Sequence, residues 1–258
     1  MTADQQPILV LSSIRKQFGG LIAVDKLDIA VDEGEIFSLI GPNGAGKTTA
    51  FNLITGLDVP TSGTIQFAGR IISGLPPHRL AQLGIARTFQ NIRLFNNMTV
   101  LDNVLVGRHS RLHTPYWMSV LRTRAERAEE KDAVAKARET LKFVGLQRRD
   151  NDLARNLPYG MQRRLEIARA LASEPRLLLL DEPAAGTNPQ EKAGLGELIR
   201  AIRARGVTLF LIEHDVKVVM GISDRIAVLD HGEKIAEGTP SQVRSNTRVI
   251  EAYLGKGA

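Results

Sequence analysis

A glycine-rich loop followed by a lysine and two threonines carries the clearest chemistry in this sequence. It follows the apolar run Ile36 to Ile40 and precedes residues 49–55, which are compatible with a helix. Glycines let the backbone curl around an anion, so that amide N–H groups and the positive end of the helix face a phosphate. The spacing Gly-x-x-x-x-Gly-Lys-Thr predicts that Lys47 contacts the β- and γ-phosphates of a nucleoside triphosphate and that Thr48 binds Mg²⁺. The residues expected around the phosphates are Gly41, Pro42, Asn43, Gly44, Ala45, Gly46, Lys47, Thr48 and Thr49.

A pair of carboxylates forms the second chemical feature. Asp181 and Glu182 directly follow the apolar run 177–180, and open α/β sheets bind ligands at the carboxyl ends of such strands. We expect Asp181 to hold Mg²⁺ through water and Glu182 to polarise the attacking water as a general base. The alternative is an acidic pair that caps a helix before Pro183. The phosphate loop favours the hydrolytic interpretation.

Composition sets wider bounds. The 258 residues are 43% hydrophobic, enough for one large core or a core with a subdomain. The sequence has no cysteine, which excludes disulfides and cysteine-based metal sites. The N-terminus lacks the pattern of a signal peptide, and no apolar run is long enough to span a membrane, so we expect a soluble protein that reaches a membrane only through a partner. The net charge of +6 is compatible with acidic partners, but the basic residues are scattered.

The order of hydrophobic patterns predicts a parallel α/β core. Short alternating segments up to about residue 37 are typical of β-strands, whereas residues 99–144 are charged and helical in spacing. Residues 177–180 and 207–212 are continuous apolar runs, as in parallel strands buried on both faces. A helix is predicted between them over 189–205, ending at Gly206. The charged block is expected to be an inserted helical subdomain.

The order of the remaining segments resembles the ATP-binding subunits of ABC transporters, from about residue 8 to residue 254. The resemblance implies an α/β fold of the P-loop NTPase (RecA-like) type, with an antiparallel β subdomain and an inserted α-helical subdomain. It implies a single domain over 8–255. Residues 8–95 and 165–240 would form the catalytic core with the β subdomain, about 96–164 the helical subdomain, and 241–255 a C-terminal helix.

The resemblance also assigns roles to residues outside the two motifs. Phe18 matches the aromatic residue that stacks on adenine, and Gln90 matches the glutamine that senses Mg²⁺ and couples to the membrane partner. His214 matches the histidine that contacts the γ-phosphate, and residues 184–188 match the loop through which two ATPase subunits communicate. The expected catalytic residues are therefore Lys47, Gln90, Glu182 and His214, and the expected Mg²⁺ ligands are Thr48, Gln90 and Asp181.

The segment at the position of the family's signature lies directly before an expected helix over residues 163–171 and departs from the usual Leu-Ser-Gly-Gly-Gln. Pro158 replaces the serine, which removes a hydroxyl and a backbone N–H, and Tyr159 replaces the first glycine. In the family this segment binds the γ-phosphate held by a second subunit. Either the altered site is weakened and a partner supplies a better one, or the remaining glycine and the helix end suffice. The residues expected at that phosphate are Pro158, Tyr159, Gly160, Met161 and Gln162.

Within the family, the stretches around residues 159–170, 181–189 and 213–225 resemble the ATPases of branched-chain amino acid uptake systems. This implies ATP and Mg²⁺ as cofactors and a location at the cytoplasmic face of a bacterial plasma membrane. It also implies a second ATPase subunit, two permease subunits and, indirectly, an external substrate-binding protein. Transport of urea, amides or lipopolysaccharide remains an alternative.

Two further alternatives belong to other functional classes. A non-transport relative acting on DNA or the ribosome would usually carry coiled-coil or zinc insertions or a second ATPase domain, and none is seen in the sequence. Nucleic acid is therefore not an expected partner. A regulatory subunit that senses nucleotide without hydrolysing it is disfavoured by Glu182 and His214. Trp117 could contact a permease loop, lie at lipid headgroups or pack within its own subdomain.

Overall fold

The computed structural model describes residues 7–111 and 124–254. Trp117 and the rest of residues 112–123 within the charged helical block lie outside these residues, so the interpretations of Trp117 stay predictions. Within the described ranges, no helix has both the length and the apolar character needed to cross a membrane.

The described strands fall into two sheets. They are β1 (Pro7–Phe18), β2 (Leu21–Asp32), β3 (Ile36–Ile40), β4 (Ser62–Phe67), β5 (Arg70–Ile71), β6 (Ile85–Arg87), β7 (Leu177–Asp181), β8 (Thr208–Ile212), β9 (Arg225–Asp230) and β10 (Glu233–Gly238). One sheet is antiparallel, with the order β2-β1-β4-β5. The other has the order β10-β9-β3-β8-β7-β6, with β10 antiparallel and all other neighbours parallel.

The described helices surround the parallel sheet and form a separate helical region. They are α1 (Lys47–Ile54), α2 (Pro77–Leu83), α3 (Val100–Arg108), α4 (Arg124–Phe143), α5 (Tyr159–Leu171), α6 (Pro189–Ala204), α7 (Val216–Ile222), α8 (Pro240–Arg244) and α9 (Thr247–Leu254). Short 3₁₀ turns follow α3 at His109–Arg111 and precede α5 at Ala154–Asn156.

The central strands explain why the site lies where it does. Every residue of β3, β7 and β8 is buried, as their continuous apolar sequences predict for strands covered on both faces. Because these strands are parallel, their carboxyl ends meet at one edge of the sheet. The phosphate loop and the segments that begin at Glu182 and Glu213 leave the sheet there. The predicted P-loop α/β fold with an antiparallel β sheet and a helical insertion is confirmed.

Helix α5 joins the helical region to the sheet. Leu165 and Ile167 share a hydrophobic cluster with Val104 of α3 and with Leu178 and Leu180 of β7. The predicted boundary between residues 164 and 165 therefore falls inside α5.

Two helices begin earlier than the sequence pattern predicts. Helix α1 starts at Lys47, because Gly46 is its N-cap and the phosphate loop runs directly into the helix. Helix α5 starts at Tyr159 instead of Arg163, with Pro158 at the N-cap in an extended conformation. The signature residues after Pro158 are therefore part of the helix.

The predicted C-terminal helix over 241–255 is two short helices, α8 and α9. Thr239 caps α8 with a reciprocal side-chain bond to Gln242. The side chain of Asn246 accepts hydrogen bonds from the backbone N–H groups of Arg248 and Val249, and so starts α9. Asparagine competes for backbone donors in this way and favours helix starts.

Candidate functional site

The phosphate loop can adopt its conformation only with glycine at two positions. Gly46 has φ +100°, and a Cβ there would lie 2.4 Å from the carbonyl oxygen of Ala23 in β2. A Cβ at Gly41, which has φ +150°, would lie 2.1 Å from the carbonyl oxygen of Leu229 in β9. Both sheets thus hold the loop by backbone contact. The loop is a preformed concave turn of the kind that binds phosphate.

Lys47 points into this turn. Its ammonium group donates to the carbonyl oxygens of Gly41 at 2.7 Å and Pro42 at 2.9 Å. Burial lowers the pKa of Lys47, while the carboxylates of Glu182 and Asp181 act in the opposite direction. A triphosphate in the loop would favour the charged ammonium in the same way as these carboxylates.

The other loop residues differ in exposure, as a binding surface requires. Asn43, Gly44 and Thr48 are exposed, so the Thr48 hydroxyl is accessible to a ligand. Pro42, Gly46 and Thr49 are half-buried, and Ala45 is buried. Ala45 also accepts a backbone hydrogen bond from Gly232 at 3.0 Å, which fixes the loop to the turn between β9 and β10.

Asp181, the predicted Mg²⁺ ligand, lies in a buried ion pair that the sequence reasoning missed. Its Oδ2 accepts from Arg87 at 2.7 Å, and the two side chains are only 5% and 8% exposed. Arg87 also donates to Asn52 Oδ1 at 2.8 Å and Thr55 Oγ1 at 3.1 Å, both on or next to α1. The guanidinium thus fixes the carboxylate relative to the phosphate loop. The sequence feature that could have identified Arg87 is its position three residues before Gln90.

Three of the predicted catalytic residues meet at a single oxygen atom. Gln90 Nε2 donates to Glu182 Oε2 at 2.9 Å, and His214 Nδ1 lies 3.4 Å from the same oxygen. Glu182 has a positive φ of 46°, and its backbone N–H donates to the carbonyl of Ile212. The side chain of His214 is 57% exposed, whereas that of Glu182 is 18% exposed. The sheet edge thus presents a carboxylate flanked by an amide and an imidazole.

Glu213 is a second functional residue that could not be recognised from the sequence, and it stabilises this edge of the parallel sheet. It is fully buried and accepts hydrogen bonds from the backbone N–H of Ala184 at 2.7 Å and of His214 at 3.2 Å. Burial raises its pKa, and the backbone hydrogen bonds oppose this. It therefore ties the end of β8 to the loop after Glu182. The acidic residue between Ile212 and His214 was visible in the sequence, but nothing there gave its burial.

Phe18 lies at the end of the β1–β2 hairpin, the hairpin whose Ala23 contacts the phosphate loop. Its ring is 46% exposed, and the Lys16 ammonium lies 4.6 Å from the ring centroid. An exposed ring beside a phosphate site can stack on a nucleotide base, since every base offers a flat π-face. This geometry agrees with the predicted adenine contact, which stays a prediction.

The signature segment is not joined to the phosphate loop of its own chain. Within residues 7–111 and 124–254, no hydrogen bond or ion pair connects residues 157–162 to residues 41–49. Instead, Pro158 and Tyr159 are exposed, and the Tyr159 ring covers Gly186, where an added Cβ would lie 3.2 Å from the ring. Gly160 faces α6, and a Cβ there would lie 2.4 Å from Glu191 Oε1.

The donors at this edge fit a magnesium nucleotide. The glycine turn and Lys47 provide N–H donors for phosphates, and Thr48, Gln90 and Asp181 provide oxygen ligands of the kind that Mg²⁺ prefers. Among the described residues no cluster of three or more His, Cys, Asp or Glu side chains could hold a metal alone.

Known sequences match nearly the whole length of the chain. The profile of the ABC transporter family matches residues 24–185, and the profile described as branched-chain amino acid ATP-binding cassette transporter matches residues 233–258. The high-affinity branched-chain amino acid transport ATP-binding protein LivG of Salmonella typhimurium is 49% identical over 97% of this chain and 99% of its own length. BraF of Pseudomonas aeruginosa, which carries the same description, matches with the same identity and coverage.

Solved structures agree with this match. A nucleotide-free ATP-binding cassette from an ABC transporter has a TM-score of 0.85 and 33% identity, and it covers 97% of this chain and 100% of its own. An ADP conformation of such a cassette gives the same values. The chain therefore belongs to the ATP-binding cassette family of ABC transporters, within its branched-chain amino acid group. It binds ATP and hydrolyses it to drive transport.

Proposed function

We propose that this chain powers the uptake of branched-chain amino acids from the cytoplasmic face of a bacterial plasma membrane. Its relatives in Salmonella typhimurium, Pseudomonas aeruginosa and Escherichia coli are described as high-affinity branched-chain amino acid transport ATP-binding proteins. The match spans nearly the full length of both chains, and the C-terminal profile is specific to this group. The observation that carries the catalytic part is the meeting of Gln90 and His214 at one oxygen of Glu182.

The residues at the sheet edge divide the chemistry among them. Glu182 orients the water that attacks the γ-phosphate in line with the leaving oxygen, and His214 contacts the γ-phosphate. Lys47 exchanges its two bonds to loop carbonyls for phosphate oxygens. Thr48, Gln90 and Asp181 would hold a Mg²⁺ ion, and such an ion would offset charge on the phosphates. Arg87 engages Oδ2 of Asp181 and so fixes the carboxylate that would hold the ion through water.

Two such subunits enclose the nucleotides between them. Pro158 and Tyr159 of the signature segment are exposed, which supports contact with ATP held by a second ATPase subunit. The backbone amides at the start of α5 provide the positive end of a helix for that γ-phosphate. Binding of ATP closes the pair, and hydrolysis reopens it. The second subunit is another copy of this chain or a related ATPase.

The permease subunits are the partners through which ATP hydrolysis moves substrate. We assign their contact to a groove of about 550 Å³ that residues 87–95 form with α3 and α5. Phe89, Leu94 and Phe95 give it an apolar surface, and Arg93 and Arg169 give it positive charge. This fits a cytoplasmic permease segment with apolar and acidic side chains. The substrate itself is selected by the permease and by an external binding protein.

The catalytic proposal is tested with Glu182→Gln. The change keeps the shape of the side chain but removes the carboxylate, so we expect ATP binding to be retained and phosphate release to fall about 10²- to 10⁴-fold. Light scattering with and without Mg-ATP should show a nucleotide-dependent dimer. The control is Glu139→Gln, which changes an exposed carboxylate on α4. Normal turnover of Glu182→Gln would refute the assigned role.

A persistent monomer of Glu182→Gln that still binds ATP would point to an obligate partner subunit, to be identified by co-purification from membranes. The substrate is tested by measuring the uptake of radiolabelled leucine in cells that lack the chain, before and after the chain is expressed in them again. Restored leucine uptake supports the proposal. Restored transport of urea, an amide or lipopolysaccharide instead would reassign the substrate and leave the ATPase role intact.

A further inference from the structure

A buried ion pair in α5 has no part in the chemistry assigned so far. Arg163 Nη1 lies 2.9 Å from Glu166 Oε2, one helical turn apart, and the two side chains are only 2% and 1% exposed. Burying two charges is costly unless their remaining hydrogen-bonding groups are also paired. The other hydrogen-bond partners of Arg163 and Glu166 therefore identify the segment that the pair holds in place.

Those partners are backbone groups of the segment around Gln90. Arg163 donates to the carbonyl oxygens of Phe89 at 2.8 Å and Gln90 at 2.9 Å. Glu166 Oε1 accepts from the backbone N–H of Phe89 at 3.3 Å and of Arg93 at 3.4 Å. The pair thus holds both backbone polar groups of Phe89 and the carbonyl of Gln90. It fixes this segment to α5 by main-chain contacts alone.

The same helix begins in the signature segment. Arg163 Nη2 also donates to the hydroxyl of Tyr159, the first residue of α5, at 3.1 Å. On the other side, the Gln90 side chain reaches Glu182 Oε2 at 2.9 Å. A continuous chain of hydrogen bonds therefore leads from the signature residue Tyr159 through Arg163 to the backbone of Gln90 and on to Glu182.

We propose that Arg163 and Glu166 are positioning residues that place Gln90 against Glu182 according to the position of the signature helix. When α5 moves during ATP-driven closure, the pair carries the backbone of residues 89–93 with it, and the Gln90 amide approaches or leaves the carboxylate. This inference rests on the proposed roles of Gln90 and Glu182. The contacts are to backbone atoms and do not involve the side chains of Phe89 and Arg93, which line the groove assigned to the permease.

The test is a double-mutant cycle on the full chain, in which the Arg163–Glu166 pair is one site and Gln90 is the other. Arg163→Met with Glu166→Leu replaces the pair by apolar side chains of similar size, an exchange that buried ion pairs often tolerate. We expect kcat for ATP hydrolysis to fall about 10- to 100-fold, because misplacing a catalytic group by about 1 Å has an effect of this size. KM for ATP should change less than about twofold, since the phosphate loop is untouched. Arg163→Lys, which keeps the charge but loses the two-armed contact, provides a second variant if the first does not fold.

Each variant is then combined with Gln90→Ala. If the pair acts through Gln90, the combined variant is no slower than the slower single variant; fully multiplied losses would overturn the inference. Turnover of Gln90→Ala at the unmodified rate would instead show that the proposed role of Gln90 fails. Arg138→Met is the control, since Arg138 forms an exposed pair with Asp150 in the helical region at 2.9 Å. Its turnover should be unchanged.

Discussion

Replacing Gly46 by alanine should reduce ATP affinity. The residue has φ +100°, and an added Cβ would lie 2.4 Å from the Ala23 carbonyl oxygen, whereas ordinary contacts begin at 3.4 Å. The loop or the hairpin must therefore retreat by about 1 Å. The left-handed backbone alone costs an L-residue about 1–2 kcal/mol.

This free-energy cost should appear as weaker binding of ATP. The free protein can relieve the strain by leaving the observed loop conformation, but ATP requires that conformation to be restored. Strain alone then weakens binding about 5- to 30-fold, because about 1.4 kcal/mol corresponds to a factor of ten. Displacement of the β1–β2 hairpin, which carries Phe18, adds to this loss.

Two glycines provide matched controls. Gly44 in the same loop has φ +81° and Gly206 after α6 has φ +85°, and an added Cβ at either would meet no atom within 4 Å. We expect Gly44→Ala to weaken ATP binding less than Gly46→Ala. Gly206→Ala should lower the melting temperature without affecting ATP binding.

The assay is equilibrium titration with a fluorescent ATP analogue, with the melting temperature measured in parallel. Equal effects of Gly46→Ala and Gly44→Ala would show that the contact with Ala23 is unimportant. An affinity loss in Gly206→Ala as large as that of Gly46→Ala would show that ATP binding follows overall stability and not the geometry of the phosphate loop.

The remaining predictions concern the signature, the base contact and acid stability. Pro158→Ser should raise ATPase turnover, because it restores a hydroxyl and a backbone N–H at the start of α5; an unchanged rate would show that the glycine and the helix end suffice. Phe18→Ala should weaken ATP binding by about 1–3 kcal/mol without affecting inorganic triphosphate, measured by calorimetry; equal losses for both ligands would exclude base stacking. The hydrogen bond from Lys192 holds the pKa of Asp215 below its ordinary value. The stabilisation from this hydrogen bond is fully present above the pKa of aspartate in the unfolded chain, about 4, and is lost as the pH falls through the lower pKa of Asp215 in the folded chain. Lys192→Met should therefore destabilise the protein at neutral pH and match the stability of the wild type in acid. A pH-independent difference in urea unfolding would contradict this.

The local motifs could be predicted from sequence because their physics is local. The phosphate loop needs glycine, lysine and threonine at fixed spacing, and β3, β7 and β8 are recognisable from short apolar runs. Parallel strands end at one edge, which was enough to place Asp181, Glu182 and His214 together. The family resemblance supplied the positions of Gln90 and Phe18, which no local pattern distinguishes.

Helix ends and the division of the chain were less predictable. Proline at residue 158 and asparagine at residue 246 set helix starts that periodicity alone places elsewhere. The boundary within α5 could not be read from composition, because its residues pack against both the helical region and the sheet.

Only the tertiary structure decided which buried charges are paired with which groups. The sequence does not indicate that Arg87 binds Asp181, that Glu213 holds the loop after Glu182, or that Arg163 fixes the backbone of Gln90. Each contact joins residues far apart in the chain, and its existence depends on how strands and helices pack. The sequence by itself determined the ATP chemistry and the fold that supports it. The packing determined how the catalytic carboxylate is held and how the signature helix is linked to it, since buried charges require partners that only a folded chain can provide.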